Sequence, residues 1–509
     1  MLLCYLYFRG IGDHGLIDPV EGINASIALH MSAGENYFIP KIGDSLASGC
    51  TMGAWWLSAL GLNIFGWSEF AVRFFSALSG LGMILAAALS AGEGRKSWLA
   101  SCICASMILC FTVSQISSSH AIFSCLTAFA MFGIVKSRTN RDWLFLSHFL
   151  ISLAFIAHGA SGIFLPFLSV IIYSVLCEDW DLLKDFFTWP FGIAMTLLIS
   201  GLYFVVIITA NYHLIYFMFV QNYSYSFGGI IGSIIFILMC LTPFHGFIIK
   251  AVFEIFPKEY PAEKSPELFM LVWALVFGAS EIFSGDLLAI STSVPALSAI
   301  VAIKLDYWLD KKISSVRYSF LINILILFPV LYIFMPLTAR YFPVIKVSLM
   351  SFIPYLIVMS LFLLASWYYT KTRQIKKWVR NVSAAALLCL MPLGGIFDLT
   401  AENYSVREIG MSLREAIKGN QTVIQYRVNY PSMYFYTLRN SILIDSPLNH
   451  GIEEKKFVAD TSFIDSLWKR KDRTFLVMPE VVDVNSILPK KTNVYNITRA
   501  EGMLLLSNQ

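Results

Sequence analysis

The lysines and arginines of this chain alternate between loops, and that alternation constrains its fold more than any other feature. About a dozen apolar segments are long enough to cross a bilayer, which takes roughly 20 residues each. Basic residues fall almost only in every second gap between them. Those gaps hold Arg95 and Lys96; Lys136, Arg138 and Arg141; Lys250, Lys258 and Lys264; Lys311, Lys312 and Arg317; and Lys371, Arg373, Lys376, Lys377 and Arg380. Cytoplasmic loops carry the excess of Lys and Arg, so these gaps face the cytoplasm. The other gaps face the opposite side, as does the polar tail after about residue 398.

Composition agrees with a membrane protein. Of 509 residues, 57% are apolar and 14% charged, whereas a soluble domain carries about 25% charged residues. The net charge of +4 is accounted for by the loop bias, and no basic patch suggests nucleic acid. Most of the nine cysteines sit in apolar stretches, where a thiol behaves as a small hydrophobe. Neither Cys nor His shows metal-ligand spacing, and no cofactor is expected. Loop parity demands a crossing before residue 10, where only Met1–Phe8 is apolar. That favours extra residues upstream of Met1 in the native protein over a lost first helix.

Residues 10–69 form a long outer loop. Within it, 19–33 and 51–66 show helical apolar spacing and read as amphipathic helices at the interface, where Trp55, Trp56 and Trp67 are at home. Spanning helices are expected at about 70–92, 97–116, 120–136, 143–157, 160–177, 186–210, 227–250, 267–284, 287–305, 317–336, 346–369 and 381–398. A crossing at the start would make 13. From 399 the pattern changes: an amphipathic helix at Ser405–Lys418, apolar or alternating strands at Thr422–Val428, Ser441–Ile444, Thr474–Val477 and Met503–Leu506, and a second helix at Asp460–Lys469. The fold class is thus an α-helical polytopic membrane protein, with a transmembrane domain at 1–398 and a small extracytoplasmic α/β domain at 399–509. The latter has no glycine-rich phosphate loop.

This order of parts resembles the GT-C glycosyltransferases that use polyprenyl-phosphate sugar donors, above all the lipid A aminoarabinose transferases, related to protein O-mannosyltransferases. The stretch that carries the resemblance is Asp18-Pro-Val-Glu-Gly-Ile-Asn-Ala, followed by Met31-Ser-Ala-Gly, Ile39-Pro40, Phe65-Gly66, Arg73 and Ser76-Ala77-Leu78. Tyr430-Pro-Ser-Met-Tyr-Phe-Tyr-Thr-Leu-Arg439 and Leu504-Leu-Leu-Ser-Asn508 resemble the terminal domain of that branch. Departures are also visible. The family's Asp falls at Val20 while its Glu is kept as Glu21, a Glu-Lys-Pro element reads Ser48-Gly49-Cys50, a Lys-Gly element reads His158-Gly159, and a basic position reads Asp286.

The resemblance implies transfer of a sugar from a lipid-linked sugar phosphate to a lipid, glycan or protein acceptor on the outer face of the bacterial inner membrane. Such transfer needs a carboxylate to take the acceptor's proton and polar or cationic groups to hold the departing phosphate. Asp18 and Glu21, three residues apart, share a helix face and are the candidate catalytic acids. The favoured reading of Asp18 is as the cap of the helix, with Pro19 at its first position and Glu21 in its first turn, a role compatible with catalysis. Candidate phosphate or lipid ligands are Lys41, Arg73, His158 and, in the aromatic loop 211–226, Asn222, Tyr223 and Tyr225. Each has a bland alternative: a snorkelling lysine, a structural arginine, a helix-end histidine, an interfacial aromatic belt. Glu281 and Asp286 flank an outward-facing helix end.

The candidate partners are membrane lipids, the polyprenyl-phosphate sugar and other membrane proteins. Three classes of function remain open: a lipid-linked sugar transferase, a non-catalytic scaffold or accessory subunit on the same fold, and, ranked last, a transporter, for which internal repeats would be expected. The topology is directly testable. A cysteine placed at Asn449 is expected to react with an impermeant reagent from outside, and one at Arg373 is not. The reverse labelling would overturn the orientation.

Overall fold

The computed structural model describes residues 2–34, 37–43, 45–47, 52–210, 241, 244–257, 259–284, 287–329, 349–419, 421–446, 457–458, 462–470, 472–484, 487–488 and 493–509. The chain forms two compact units. One comprises Met1–Ile11, Cys50–Ala54 and Arg73–Ile396, and the other Gly12–Gly49, Trp55–Val72 and Phe397–Gln509. The outer loop therefore clusters largely with the C-terminal residues.

In chain order the helices are α1 (Leu2–Phe8), α2 (Val20–Ser32), α3 (Met52–Phe65), α4 (Glu69–Ala91), α5 (Arg95–Ser106), α6 (Ile108–Gln115), α7 (Ser119–Lys136), α8 (Trp143–His158), α9 (Ser161–Leu176), α10 (Trp180–Thr188) and α11 (Pro190–Ala210). They continue as α12 (His245–Ile255), α13 (Pro266–Ser284), a 3-10 turn (Leu287–Ser293), α14 (Val294–Lys311), α15 (Ile313–Pro329), α16 (Leu349–Lys371), α17 (Ile375–Tyr404), α18 (Arg407–Ala416), α19 (Ser432–Thr437) and α20 (Ser462–Trp468).

Among the described residues four helical stretches are long and apolar enough to cross a membrane: α4, α7, α11 and Leu288–Lys311. Helices α5 and α6 make a fifth if taken as one span bent by 62°. The bend falls at Met107, whose extended backbone interrupts the ladder, and no proline marks it. The span expected at 186–210 is α11, which begins at Pro190; residues 186–188 end α10, and extended Trp189 separates the two, as the residue before a proline does.

Small residues let the helices of the first unit approach closely, as in other membrane bundles. A side chain at Gly133 of α7 would collide with Ser147 of α8, and one at Gly162 of α9 with the backbone of Ala154. Ser124 and Ser291 share a buried hydroxyl hydrogen bond of 2.6 Å. Tyr7 of α1 donates to the Ala105 carbonyl at 3.2 Å and sits edge-on to Phe111. Basic residues in the loops and helix starts of this unit meet acids on neighbouring segments. Arg95 pairs with Asp306 and Asp310, and Arg138 with Asp179, which also accepts the Leu182 amide as the N-cap of α10. On α11, Phe191, Leu197, Leu198, Leu202 and Val205 are exposed, the apolar surface a lipid-facing helix presents.

The second unit is built on a six-stranded sheet. Its strands are β3 (Thr422–Tyr426), β4 (Ser441–Ile444), β5 (Phe457–Val458), β6 (Thr474–Pro479), β7 (Tyr495–Ala500) and β8 (Met503–Ser507); a separate two-stranded ribbon pairs β1 (Lys41–Ile42) with β2 (Ser45–Leu46). The order is β5-β4-β3-β6-β8-β7. Strands β5, β4, β3 and β6 run parallel, and β8 and β7 join antiparallel. Ile424, Tyr426, Ile444, Leu476, Met478 and Leu506 pack on Ile464, Leu467 and Trp468 of α20.

The outer-loop helices differ from their amphipathic expectation. Helix α2 buries Glu21, Gly22, Ala25, Ser26, Ile27, Ala28, His30 and Met31, because much of its surface meets protein in its own unit. Helix α3 is apolar nearly all round, with Trp55 buried and Leu60, Ile64 and Phe65 exposed.

Candidate active site

In a sheet of this kind, ligands gather beyond the carboxyl ends of parallel strands where the chain switches direction. Here β3 lies between β4 and β6, and the chain leaves its carboxyl end through Arg427–Pro431 into α19. Gln425 braces that loop, accepting the Tyr430 amide at 2.8 Å through Oε1 and donating to the Tyr430 carbonyl at 3.4 Å through Nε2. The group that meets the start of α19 is the carboxyl of Asp18. The Ser432 amide donates to its Oδ1 at 3.1 Å, and the Ser432 hydroxyl pairs with its Oδ2. The two stretches that carried the family resemblance thus touch, through residues 414 apart in sequence.

Asp18 does not cap its own helix. Pro19 holds the N-cap position of α2, and no side chain caps there. The first turn is closed instead by Glu21, whose Oε2 accepts the Ile17 amide at 2.9 Å while its own amide donates to the Ile17 carbonyl at 3.1 Å. Gly22 completes the contact, since a side chain at that position would collide with Asp18 and crowd the Ser432 amide. Further along α2, Ser26 donates to the Pro431 carbonyl at 2.9 Å.

A second grip lies one turn along α19. The Tyr436 hydroxyl accepts the Leu16 amide at 2.9 Å and donates to Glu69 Oε1 at 3.3 Å. Arg407 pairs with that same Glu69 oxygen at 3.1 Å and donates to the Asp13 carbonyl at 2.8 Å. Trp67 packs edge-on against Phe435 and carries the Arg414 guanidinium 4.0 Å over its ring, a cation–π contact.

Burial dominates the electrostatics. Asp18 is 6% exposed, and burial pushes its carboxyl up to about 8, against the opposing pull of the Ser432 hydrogen bonds and with smaller upward pushes from Glu21 and Glu501. Glu501, in the β7–β8 turn, accepts the Glu408 amide at 3.4 Å at the start of α18, and burial pushes it up to about 7. The Tyr430 hydroxyl is raised by burial first and by Asp18 and Glu501 after it. Among the described residues no three His, Cys, Asp or Glu side chains converge as a metal site.

The comparisons with known proteins place this architecture. A family model for dolichyl-phosphate-mannose-protein mannosyltransferases matches residues 51–208. An uncharacterized protein of Aquifex aeolicus (strain VF5) is 26% identical over 369 residues, 68% of this chain and 71% of its own. The undecaprenyl phosphate-alpha-4-amino-4-deoxy-L-arabinose arabinosyl transferase 2 of Pseudomonas fluorescens (strain Pf0-1) is 26% identical over 210 residues, 38% of this chain and 37% of its own. The crystal structure of ArnT from Cupriavidus metallidurans bound to undecaprenyl phosphate superposes with a TM-score of 0.76 at 16% identity, covering 100% of this chain and 96% of that one. Its apo form gives 0.75. The chain has the GT-C glycosyltransferase fold. It is an integral membrane protein of that fold, with several apolar helices and a small C-terminal sheet.

The sequence-predicted site residues are divided between the two units. Asp18, Glu21 and Lys41 belong to the second unit, and Arg73 and His158 to the first. Lys41 is half-buried on β1, opposite Leu46. Arg73 is fully buried on α4 and donates to the Ile11 carbonyl at 2.7 Å, a contact that secures the chain's start. His158 ends α8, buried, with its Nδ1 3.1 Å from Ser119 Oγ and its ring stacked on Phe123. Asn222, Tyr223 and Tyr225, with the rest of 211–226, lie outside the described residues, as do Ser48, Gly49, Cys50 and Asp286. Sequence reasoning assigned no role to Ser432, Tyr436, Glu69, Tyr430 or Glu501. The Tyr430–Arg439 stretch was the available signal.

Two expectations follow from this packing. Gly22→Ala overpacks the Asp18–Ser432 contact and is expected to cost about 1–3 kcal/mol, read as a lowered Tm. Raised carboxyl pKa values favour folding most below the ordinary carboxyl range near pH 4, and that contribution is lost as pH rises through about 7 for Glu501 and about 8 for Asp18. The Tm in detergent is therefore expected to fall between about pH 5 and about pH 9, and D18N to flatten the fall. A Tm that rises across that range contradicts the assignment.

Proposed function

We propose that this protein is an outer-face transferase that takes a sugar from a polyprenyl-phosphate donor and passes it to a lipid, glycan or protein acceptor. It works in the bacterial inner membrane, with the sheet-bearing unit on the periplasmic side. The observation that carries this reading is the direct contact between Asp18 and Ser432. It joins the two family-like stretches in a chain that follows, along its whole length, the fold of a protein solved with undecaprenyl phosphate. In this reading a carboxylate of the Asp18–Glu21 pair takes the acceptor's hydroxyl proton, the acceptor oxygen attacks the anomeric carbon, and polyprenyl phosphate departs. Lys41 is the outer-loop cation available to the departing phosphate. His158, Arg73 and the 211–226 aromatics are the further candidates for contact with the lipid carrier.

One observation favours a second reading, a scaffold or accessory subunit on the same fold. Both carboxylates are buried, Glu21 at 1% exposure, and both close local structure through Ser432 and Ile17. A chain that kept these residues for architecture alone would keep this geometry.

The two readings part on turnover. General-base catalysis contributes about 10²–10⁴-fold, so E21Q and the D18N/E21Q pair are expected to reduce transfer from an undecaprenyl-phosphate sugar by that order while the protein still inserts. No turnover by the wild-type chain, together with a cellular phenotype that survives both replacements, would reject the transferase and leave the scaffold.

A further inference from the structure

We propose that Ser432 and Tyr436 are positioning residues for the outer-loop acid pair: α19 clamps segment 16–18 at two points, so that Asp18 fixes the start of α2 and Glu21 is the carboxylate that receives the proton. This rests on the transferase reading and divides the labour within its site.

The geometry is that of a two-point grip. Residues four apart on a helix share a face, and Ser432 and Tyr436 are four apart on α19. The first holds Asp18 through both of its oxygens, and the second holds the Leu16 amide two residues earlier. Tyr436 is itself anchored to Glu69, which Arg407 also engages. Ser432 is fixed from behind, because Gln425 of β3 ties down both the amide and the carbonyl of Tyr430. The sheet therefore sets where α19 begins, and α19 sets where α2 begins. Glu21 stands in the first turn of α2, three residues beyond the clamped Asp18. Its orientation is inherited from that clamp through Pro19 and its own bond to the Ile17 amide.

The chemistry of Asp18 supports the division. Both its oxygens are engaged by one residue, in a buried setting with Glu21 and Glu501 as acidic neighbours and Tyr430 close by. Burial pushes its carboxyl up to about 8, which disfavours the ionised form that a proton acceptor needs. It serves as a fixed point, in the way that supporting hydrogen bonds orient reacting groups. The α/β unit is thereby the template for the catalytic segment.

The test compares S432A, S432T and Y436F in the full-length protein, with two readouts. Steady-state transfer from an undecaprenyl-phosphate sugar gives kcat and the donor KM, and hydrogen exchange by mass spectrometry reports on residues 16–25. S432A is expected to lower kcat roughly tenfold, the size of one hydrogen bond to a carboxyl group, with the donor KM unchanged. Exchange of 16–25 is expected to quicken, and S432T to restore both readouts. If S432A does not insert, Y436F, which removes one hydroxyl from the same grip, supplies the same pair of readouts. Unchanged exchange in S432A and Y436F overturns the clamp, whether or not transfer is detected. Faster exchange with undiminished kcat overturns the positioning role. Faster exchange in a wild-type background that shows no transfer at all rejects the transferase reading and, with it, Glu21 as the proton acceptor.

Discussion

A buried carboxyl bonded to a serine at the start of a short helix ties the first outer loop of this protein to its C-terminal sheet region. Asp18 lies in the first outer loop and Ser432 in the C-terminal sheet region, yet the two meet through a backbone amide and a hydroxyl. Other features of the unit gather around that contact. Residue 22 has no room for a side chain. The helix that begins at Val20 is buried along much of its length. The loop after β3 is braced by Gln425, and the Tyr436–Glu69–Arg407 network closes the same junction from the other end of α19. A buried polar network of this kind is costly when broken, because each partner left behind has lost its water.

The strongly periodic and strongly apolar parts were legible in the sequence. Strand β4 falls where alternation put it, β3, β6 and β8 begin at the expected residues, and α18 lies inside the expected amphipathic segment. Strand β7 was not anticipated, because an edge strand reading Tyr-Asn-Ile-Thr-Arg-Ala has too little apolar content to show a core face. Helix α19 escaped because six residues are too few to display a helical period. In the membrane body, the bounds of α4, α7, α8 and α9 lie within a residue or two of expectation, the span expected at 381–398 is a longer helix, Ile375–Tyr404, and most of the one expected at 227–250 lies outside the described residues. The break at Met107 had no signal, an apolar residue in an apolar run, whereas the one at Trp189 was announced by Pro190, which disfavours a helical residue before it.

The candidate site was legible only in part, for a related reason. Periodicity shows that a helix has a face, not what meets it. The spacing of Asp18 and Pro19 suggested a local cap, and the carboxyl instead serves the start of another helix 414 residues away. The departures from the family pattern acquire a physical sense beside this. With Val20 between them, Asp18 and Glu21 are the remaining acids of the motif, and both have architectural bonds. The same residues that would place a base also hold the loop, so the fold can persist whether or not turnover does. That separation between what shapes a site and what reacts in it is why fold alone does not decide function.

The measurement that bears most directly on this account is a double-mutant cycle on the melting stability of D18A, S432A and the double variant. Contacting residues in one hydrogen-bonded network show coupling of about 0.5–3 kcal/mol, whereas independent sites add to within about 0.3–0.5 kcal/mol. A direct clamp between the outer loop and α19 gives a coupling of at least about 1 kcal/mol, with the double variant scarcely less stable than either single one. Additive losses would contradict it.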